Sequence, residues 1–196
     1  IVWAMNGEAL RAEQGYPARL VVPGWEGNMW VKWIRRLEFG DKPYMTREET
    51  SKYTDLLSNG KARMFTWVME AKSVVTSPSP EKPILQKGVH QIRGLAWSGR
   101  GKIKRVDVSI DGGKNWKTSK LHGPVFSKSL SRFTFPLNWN GEELLIQSRA
   151  IDETGYVQPH IHELQKVRGL NSIYHNNSIA TWLVNKNGKV ENVRLG

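Results

Sequence analysis

The stretch "IKRVDVSIDGGKNW", residues 103–116, decides the fold class. Val106, Val108 and Ile110 alternate with Asp107, Ser109 and Asp111. That period of two marks a strand with one dry face and one polar face. Asp111, Gly112 and Gly113 then turn the chain, and Trp116 begins a return strand. Downstream, "ELLIQSRAIDE" repeats the alternation through Leu144, Ile146, Ser148 and Ala150. "WLVNKNGKVENV" reads as a hairpin in which Asn187-Gly188 suits a two-residue type I′ turn. Short strands at this spacing, with no alternating helices, predict an antiparallel β-sandwich of immunoglobulin-like size.

Upstream, "SPSPEKP" at 77–83 places three prolines in seven residues, which predicts a stiff extended linker rather than a hydrogen-bonded ladder. Before it, "MFTWVMEAKSVVT" is strand-like. In "TREETSKYTDLL", Thr46 and Glu49 have the spacing of a capping box and predict a short helix over 47–57. Residues 1–39 read as strands and turns. Met5-Asn6-Gly7-Glu8 is a hairpin signal, and Leu20-Val21-Val22 is a short buried strand ended by Pro23-Gly24. The expected division is therefore 1–45, a connecting segment 46–83 holding the helix, a strand and the linker, and a sandwich over 84–196.

Composition bounds what such a chain does. The 196 residues are 39% hydrophobic and include nine tryptophans, enough for a packed core. No apolar run approaches the ~20 residues of a membrane helix, so no membrane partner is expected. The chain has no cysteine, which excludes disulfides and thiolate metal ligands within it. Its formal charge of +11 comes from 29 Lys and Arg against 18 Asp and Glu. These cations are scattered, and no helix-turn-helix, zinc-finger or RNA-recognition signature accompanies them. Nucleic acid is therefore not the expected partner; a small anionic ligand or an acidic protein fits better.

Several patterns could carry chemistry. Ser109, Asp111, Gly113 and Trp116 fit the S-x-D-x-G-x-x-W box of sialidase-like propellers, but one copy predicts only a hairpin cap. His160 and His162 could share one face of a strand; two histidines alone do not make a metal site, and no metal ligand is assigned. No G-x-S-x-G nucleophile motif or P-loop is present. The stretch "GYPARLVVPGWEGNMWVKW", residues 15–33, is more pointed. Arg19 offers a planar five-donor fork and Lys32 a mobile point charge, both suited to an oxyanion, while Gly24 and Gly27 let backbone approach a ligand. The plainer alternative is that both cations are solvated strand ends.

That stretch, with "MNGEAL" before it and "GLAWSGRGKIKRVDVSIDGGKNW" and "SRAIDETGYVQP" after it, resembles the sulfite oxidase family of molybdenum-cofactor enzymes over nearly the whole chain. "MTREETSKYTDLL", "KARMFTWVMEAKSV" and "RGLNSIYHNNSIATW" are similar to its sulfane dehydrogenase branch, the SoxC-type molybdenum subunits. The resemblance implies a mainly β chain: the tail end of a sulfite-oxidase-type molybdopterin domain, then an immunoglobulin-like dimerisation domain. It implies that Arg19, Trp30, Val31 and Lys32 hold the cofactor's phosphate, with Gln14 standing where sulfite oxidases place a histidine. Tyr174, His175 and Asn176 occupy the position of the family's Trp-His-Arg, without its substrate-binding arginine. This departure implies sulfur carried on a protein cysteine rather than free sulfite; a sulfite dehydrogenase and a non-enzymatic pairing module are the alternatives. The family's molybdenum-ligating cysteine and catalytic tyrosine would lie upstream, so the chain is expected to be the C-terminal part of a larger enzyme, inactive alone. The implied cofactor is molybdenum–molybdopterin. The implied partners are a second copy, a dihaem cytochrome c subunit and a sulfur-carrier protein, in the periplasm.

Overall fold

The computed structural model describes residues 1–172 and 174–195. The chain divides into two units, Ile1–Met69 with Arg168–His175, and Glu70–Val167 with the chain from Asn176 onward.

In the first unit, β1 (Ala4–Met5) and β2 (Glu8–Ala9) form the expected hairpin, with Asn6 at φ 55° and Gly7 at φ 84° as a type I′ turn requires. Leu20–Val22 is not a strand. Leu20 N–H donates to the Val31 carbonyl at 2.8 Å and Arg19 exchanges two backbone bonds with Val2 at 2.9 Å, but no continuous ladder follows. The helix α1 (Arg47–Lys52) begins after Thr46 as expected, although no side-chain cap bond forms there. It ends at Lys52 rather than 57, because the next residues form β3 (Thr54–Leu56), which pairs with β4 (Ala62–Met64).

The second unit is a two-sheet sandwich. Its strands are β5 (Lys72–Ser77), β6 (Gly88–Trp97), β7 (Ile103–Ser109), β8 (Lys117–Thr118), β9 (Lys120–His122), β10 (Ser131–Trp139), β11 (Leu144–Asp152), β12 (Thr181–Val184) and β13 (Val190–Val193). One sheet has the order β5-β6-β10-β9 and the other β13-β12-β11-β7-β8, all antiparallel. Ile92, Ala96, Phe133 and Leu137 from the first sheet meet Val106, Val108, Ile146, Ala150 and Val184 from the second in one apolar cluster. Phe133 lies opposite Gly94, where a Cβ would sit 2.2 Å from the ring and 2.4 Å from the Val74 carbonyl oxygen. Only glycine fits under that ring.

Four expectations are corrected here. The outward face of β7 is not simply wet: Asp107 is buried, held by Arg105 at 3.0 Å and Arg149 at 3.3 Å, with the Thr118 hydroxyl at 3.1 Å. The β12–β13 connection is longer than a two-residue turn. Asn185 Oδ1 accepts from the N–H groups of Asn187 and Lys189, and of the Asn187-Gly188 pair Gly188 alone has positive φ. "SPSPEKP" turns rather than extends, since Ser79 and Lys82 exchange backbone bonds; β5 leads into it, so the boundary between units falls at Met69/Glu70. Finally, "QPHIH" opens a helix, α2 (Ile161–Arg168), with Leu164 N–H bonded to the His160 carbonyl.

Candidate cofactor-binding site

Residues 11–34 close a small cage around a 3-10 turn, Ala12–Gln14. Such a turn leaves its carbonyls short of donors. Three side chains supply them: Trp33 Nε1 donates to the Ala12 carbonyl at 2.8 Å, Lys32 Nζ to Glu13 at 2.8 Å and Arg19 Nη1 to Gln14 at 3.1 Å. Arg19 Nη2 reaches the Trp30 carbonyl at 3.0 Å, and Trp30 Nε1 donates to the Trp25 carbonyl at 3.2 Å. The Lys32 ammonium also lies 4.5 Å from the Trp33 ring centroid. Gly15 makes the crossing possible: its φ is 109°, and a Cβ there would meet Lys32 Cβ at 2.9 Å. The cations are therefore built into the fold, not solvated strand ends.

Of the residues read as cofactor ligands, Arg19, Trp30 and Lys32 share this cage. Gln14 joins it through its carbonyl, while its Oε1 accepts from Arg11 N–H at 2.9 Å. Val31 contributes backbone to Leu20, and its side chain is exposed. A phosphate-bearing pterin fits the donor set. Arg19 Nε is buried with no partner among the described residues, and neither Arg19 nor Lys32 is paired with a carboxylate there. Asn28, which carried no sequence signal, also has both amide atoms buried without a partner among the described residues.

The other candidate segment divides. His175 is buried, with Nδ1 2.6 Å from Glu26 Oε1, in the stretch that carries Arg19 and Lys32. Tyr174 is half exposed and tilts against Tyr53 at 5.2 Å, with the Lys52 ammonium 5.7 Å from its ring. Burial, and then the Glu26 carboxylate, push the Tyr53 phenol pKa above its ordinary value. Asn176 belongs to the second unit, where Oδ1 accepts from Ser178 N–H at 3.1 Å and Oγ at 2.6 Å. Glu26 was legible only as a carboxylate between two glycines. The buried ion pair of Arg168 and Asp55, 2.9 Å apart with Thr66 beside it, had no local signal at all.

The remaining motifs have structural settings. Ser109 Oγ donates to Asp111 Oδ1 at 2.7 Å, and Asp111 accepts from Asn115 N–H at 3.0 Å and Nδ2 at 2.7 Å, so the box caps its turn. Arg149 stacks on Trp116 at 4.3 Å, and the His160 ring meets the same indole edge-on at 6.4 Å. His162 lies on α2. No group of three or more His, Cys, Asp or Glu suited to a metal occurs among the described residues.

Residues 63–182 match the family described as the Mo-co oxidoreductase dimerisation domain, and residues 1–48 the oxidoreductase molybdopterin binding domain. The chain belongs to this family of molybdopterin oxidoreductases, the sulfite oxidase family, whose cofactor is molybdenum–molybdopterin. Among particular relatives, it is similar to sulfane dehydrogenase SoxCD of Paracoccus pantotrophus, whose crystal structure superposes with a TM-score of 0.92 at 61% identity, covering 99% of this chain and 50% of that one. Sulfite oxidase of Gallus gallus is 32% identical over 178 residues, 81% of this chain and 37% of that protein. NADH nitrate reductase of Hordeum vulgare is 31% identical over 183 residues, 80% of this chain and 20% of that protein. The chain thus spans half or less of each of these three relatives.

Proposed function

We propose that the chain is part of a sulfane dehydrogenase, a molybdenum-cofactor oxidoreductase that oxidises protein-bound sulfane sulfur and passes electrons to a cytochrome c. The observation that carries this reading is the 61% identity to the SoxCD chain over 99% of this one. When bound, the molybdenum cofactor supplies two-electron oxidation of sulfur with oxygen drawn from water. The chain's own residues hold and orient it: the Arg19 fork and Lys32 ammonium bind its phosphate beside the Trp30–Lys32 backbone, with Gln14 in support. Glu26 fixes His175 and so sets Tyr174 on the substrate side, a position at which the absence of an arginine at Asn176 disfavours free sulfite. The second unit pairs with a second copy. The partners are a dihaem cytochrome c subunit and a sulfur-carrier protein, in the periplasm.

Electrostatics support an acidic protein partner. The strands β5, β6, β9 and β10 contain no Asp or Glu. On their outward face Arg93, Thr134 and Lys120 form one cross-strand row, and Leu95, Arg132 and His122 another. Arg93, Lys120 and Arg132 are exposed. A second copy presenting the same face would set like charges opposite one another, whereas an acidic protein is steered toward it.

The test is cytochrome c reduction by the intact, cofactor-loaded protein, with a persulfidated carrier peptide and with sulfite as competing substrates. A higher kcat/KM for the persulfide is expected. Preference for sulfite would replace this reading with a sulfite dehydrogenase, and no turnover of either would leave the pairing module.

A further inference from the structure

A groove of about 330 Å³ lies wholly within the second unit, beside the segment from Asn176 to Thr181 that leads into β12. Lys72, His160 and Arg194 line it together with Asn176, Ser178 and Gln147. Among the described residues no Asp or Glu lines it. Burial pushes the Lys72 ammonium pKa below the ordinary lysine value. Its Nζ donates to the Asn176 carbonyl, and no ion pair to a carboxylate joins it among the described residues. A partly buried ammonium without a counter-charge is held in an unfavourable state that a nearby anion relieves. Glu163, the carboxylate that feels His160, is engaged by Lys166 at 2.6 Å.

Gln147 closes one wall of the groove. It is buried, and its Nε2 donates to Thr181 Oγ1 at 2.8 Å. Its Oε1, buried beside Gly113 with no partner among the described residues, is an acceptor and contributes nothing to the binding of an anion.

We propose that this groove binds a small tetrahedral oxyanion, free or as the head of a small ester. Lys72 and Arg194 neutralise the charge, and the side-chain N–H groups of Asn176, whose Oδ1 is held by Ser178, donate hydrogen bonds. The site shares no residue with the cofactor cage and stands whether or not the proposed function does. Isothermal titration of the intact, cofactor-loaded protein with inorganic phosphate and with glycerol phosphate, in chloride of matched ionic strength, tests it. Saturable binding of one ion per chain is expected, and the tighter of the two identifies the source. Lys72→Met and Arg194→Met should each weaken binding about tenfold or more. Lys186→Met, which removes an equal charge from the exposed β12–β13 loop, should not. Arg194 is exposed, so its variant remains informative if Lys72→Met disturbs folding. No saturable heat, or equal weakening by all three variants, would overturn the site.

Discussion

Gln158 and Ser73, 85 residues apart in sequence, are joined by three hydrogen bonds inside the sandwich. Gln158 Oε1 accepts from Ser73 N–H and Oγ, each at 2.8 Å, and Gln158 Nε2 donates to the Ser73 carbonyl at 3.4 Å. The same Oε1 accepts from Ala150 N–H at 3.0 Å, and Nε2 also reaches the Ser178 carbonyl at 3.2 Å. One fully buried amide thus ties β5, β11 and the approach to β12. Gln158→Leu keeps the volume but leaves two buried backbone N–H groups without an acceptor. A loss of about 3 kcal/mol is expected, at roughly 1–3 kcal/mol per orphaned group. Urea unfolding followed by tryptophan fluorescence checks it, and a loss below about 1 kcal/mol would show that water replaces the amide.

Gly15 and Gly27, on either side of Arg19, predict opposite outcomes. A Cβ on Gly15 collides with Lys32 Cβ at 2.9 Å and adds strain at φ 109°, whereas one on Gly27 meets nothing within 4 Å. Gly15→Ala should cost about 1–3 kcal/mol and displace Lys32. Gly27→Ala should be neutral within about 0.5 kcal/mol. Thermal unfolding of the two variants side by side is the measurement.

Much of this was legible in the sequence because the signals are local. Alternation at Val106 and Val108 marks a core face wherever the strand lands, and Asn6-Gly7 dictates its turn whatever surrounds it. The cations Arg19 and Lys32 could be named, but their use could not. Both spend hydrogen bonds on a 3-10 turn that no periodicity announces. Glu26 and His175 lie 149 residues apart, and Asp55 and Arg168 113 apart, so those pairs exist only once the chain has folded. Asp107 misled for the same reason: a carboxylate on a strand reads as a wet position until two arginines cover it. The helix predicted to 57 stopped at Lys52 because pairing of β3 with β4 outweighs a weak local propensity.

Arg19→Lys separates fork geometry from charge. Lysine keeps the cation but cannot reach the Gln14 and Trp30 carbonyls together while leaving a donor for the cofactor. Pterin recovered per chain from the intact protein, read by fluorescence after oxidation, should fall about tenfold. Dimerisation measured by light scattering should not change. Undiminished pterin would remove Arg19 from the cofactor site.

If the basic face of β6, β9 and β10 docks an acidic partner, Arg93→Glu with Arg132→Glu should raise the KM for cytochrome c and flatten its dependence on salt, leaving kcat nearly unchanged. The expected rise is about tenfold near 0.1 M salt, where surface charges still act over about 10 Å. Stopped-flow reduction across a salt series decides it. An unchanged KM would move the docking surface elsewhere without affecting the assignment of the reaction.

Acid should find Asp111 late. Its carboxylate accepts from Asn115 N–H, the Ser109 hydroxyl and Asn115 Nδ2, and these bonds hold its pKa well below the ordinary carboxylate range. A carboxyl whose folded pKa is depressed contributes stability that is fully present above its unfolded value, about 3.9, and that is lost as pH falls below it. Asp111→Asn keeps the shape of the turn but has no such proton linkage. Between pH 5 and pH 3 the wild-type midpoint in urea should therefore fall more steeply than that of the variant, with the two curves converging toward the acid end. Chemical denaturation at half-unit pH intervals measures this. Parallel curves would mean that the turn's hydrogen bonds do not distinguish carboxylate from carboxamide, and that the Ser109–Trp116 box is held by backbone alone.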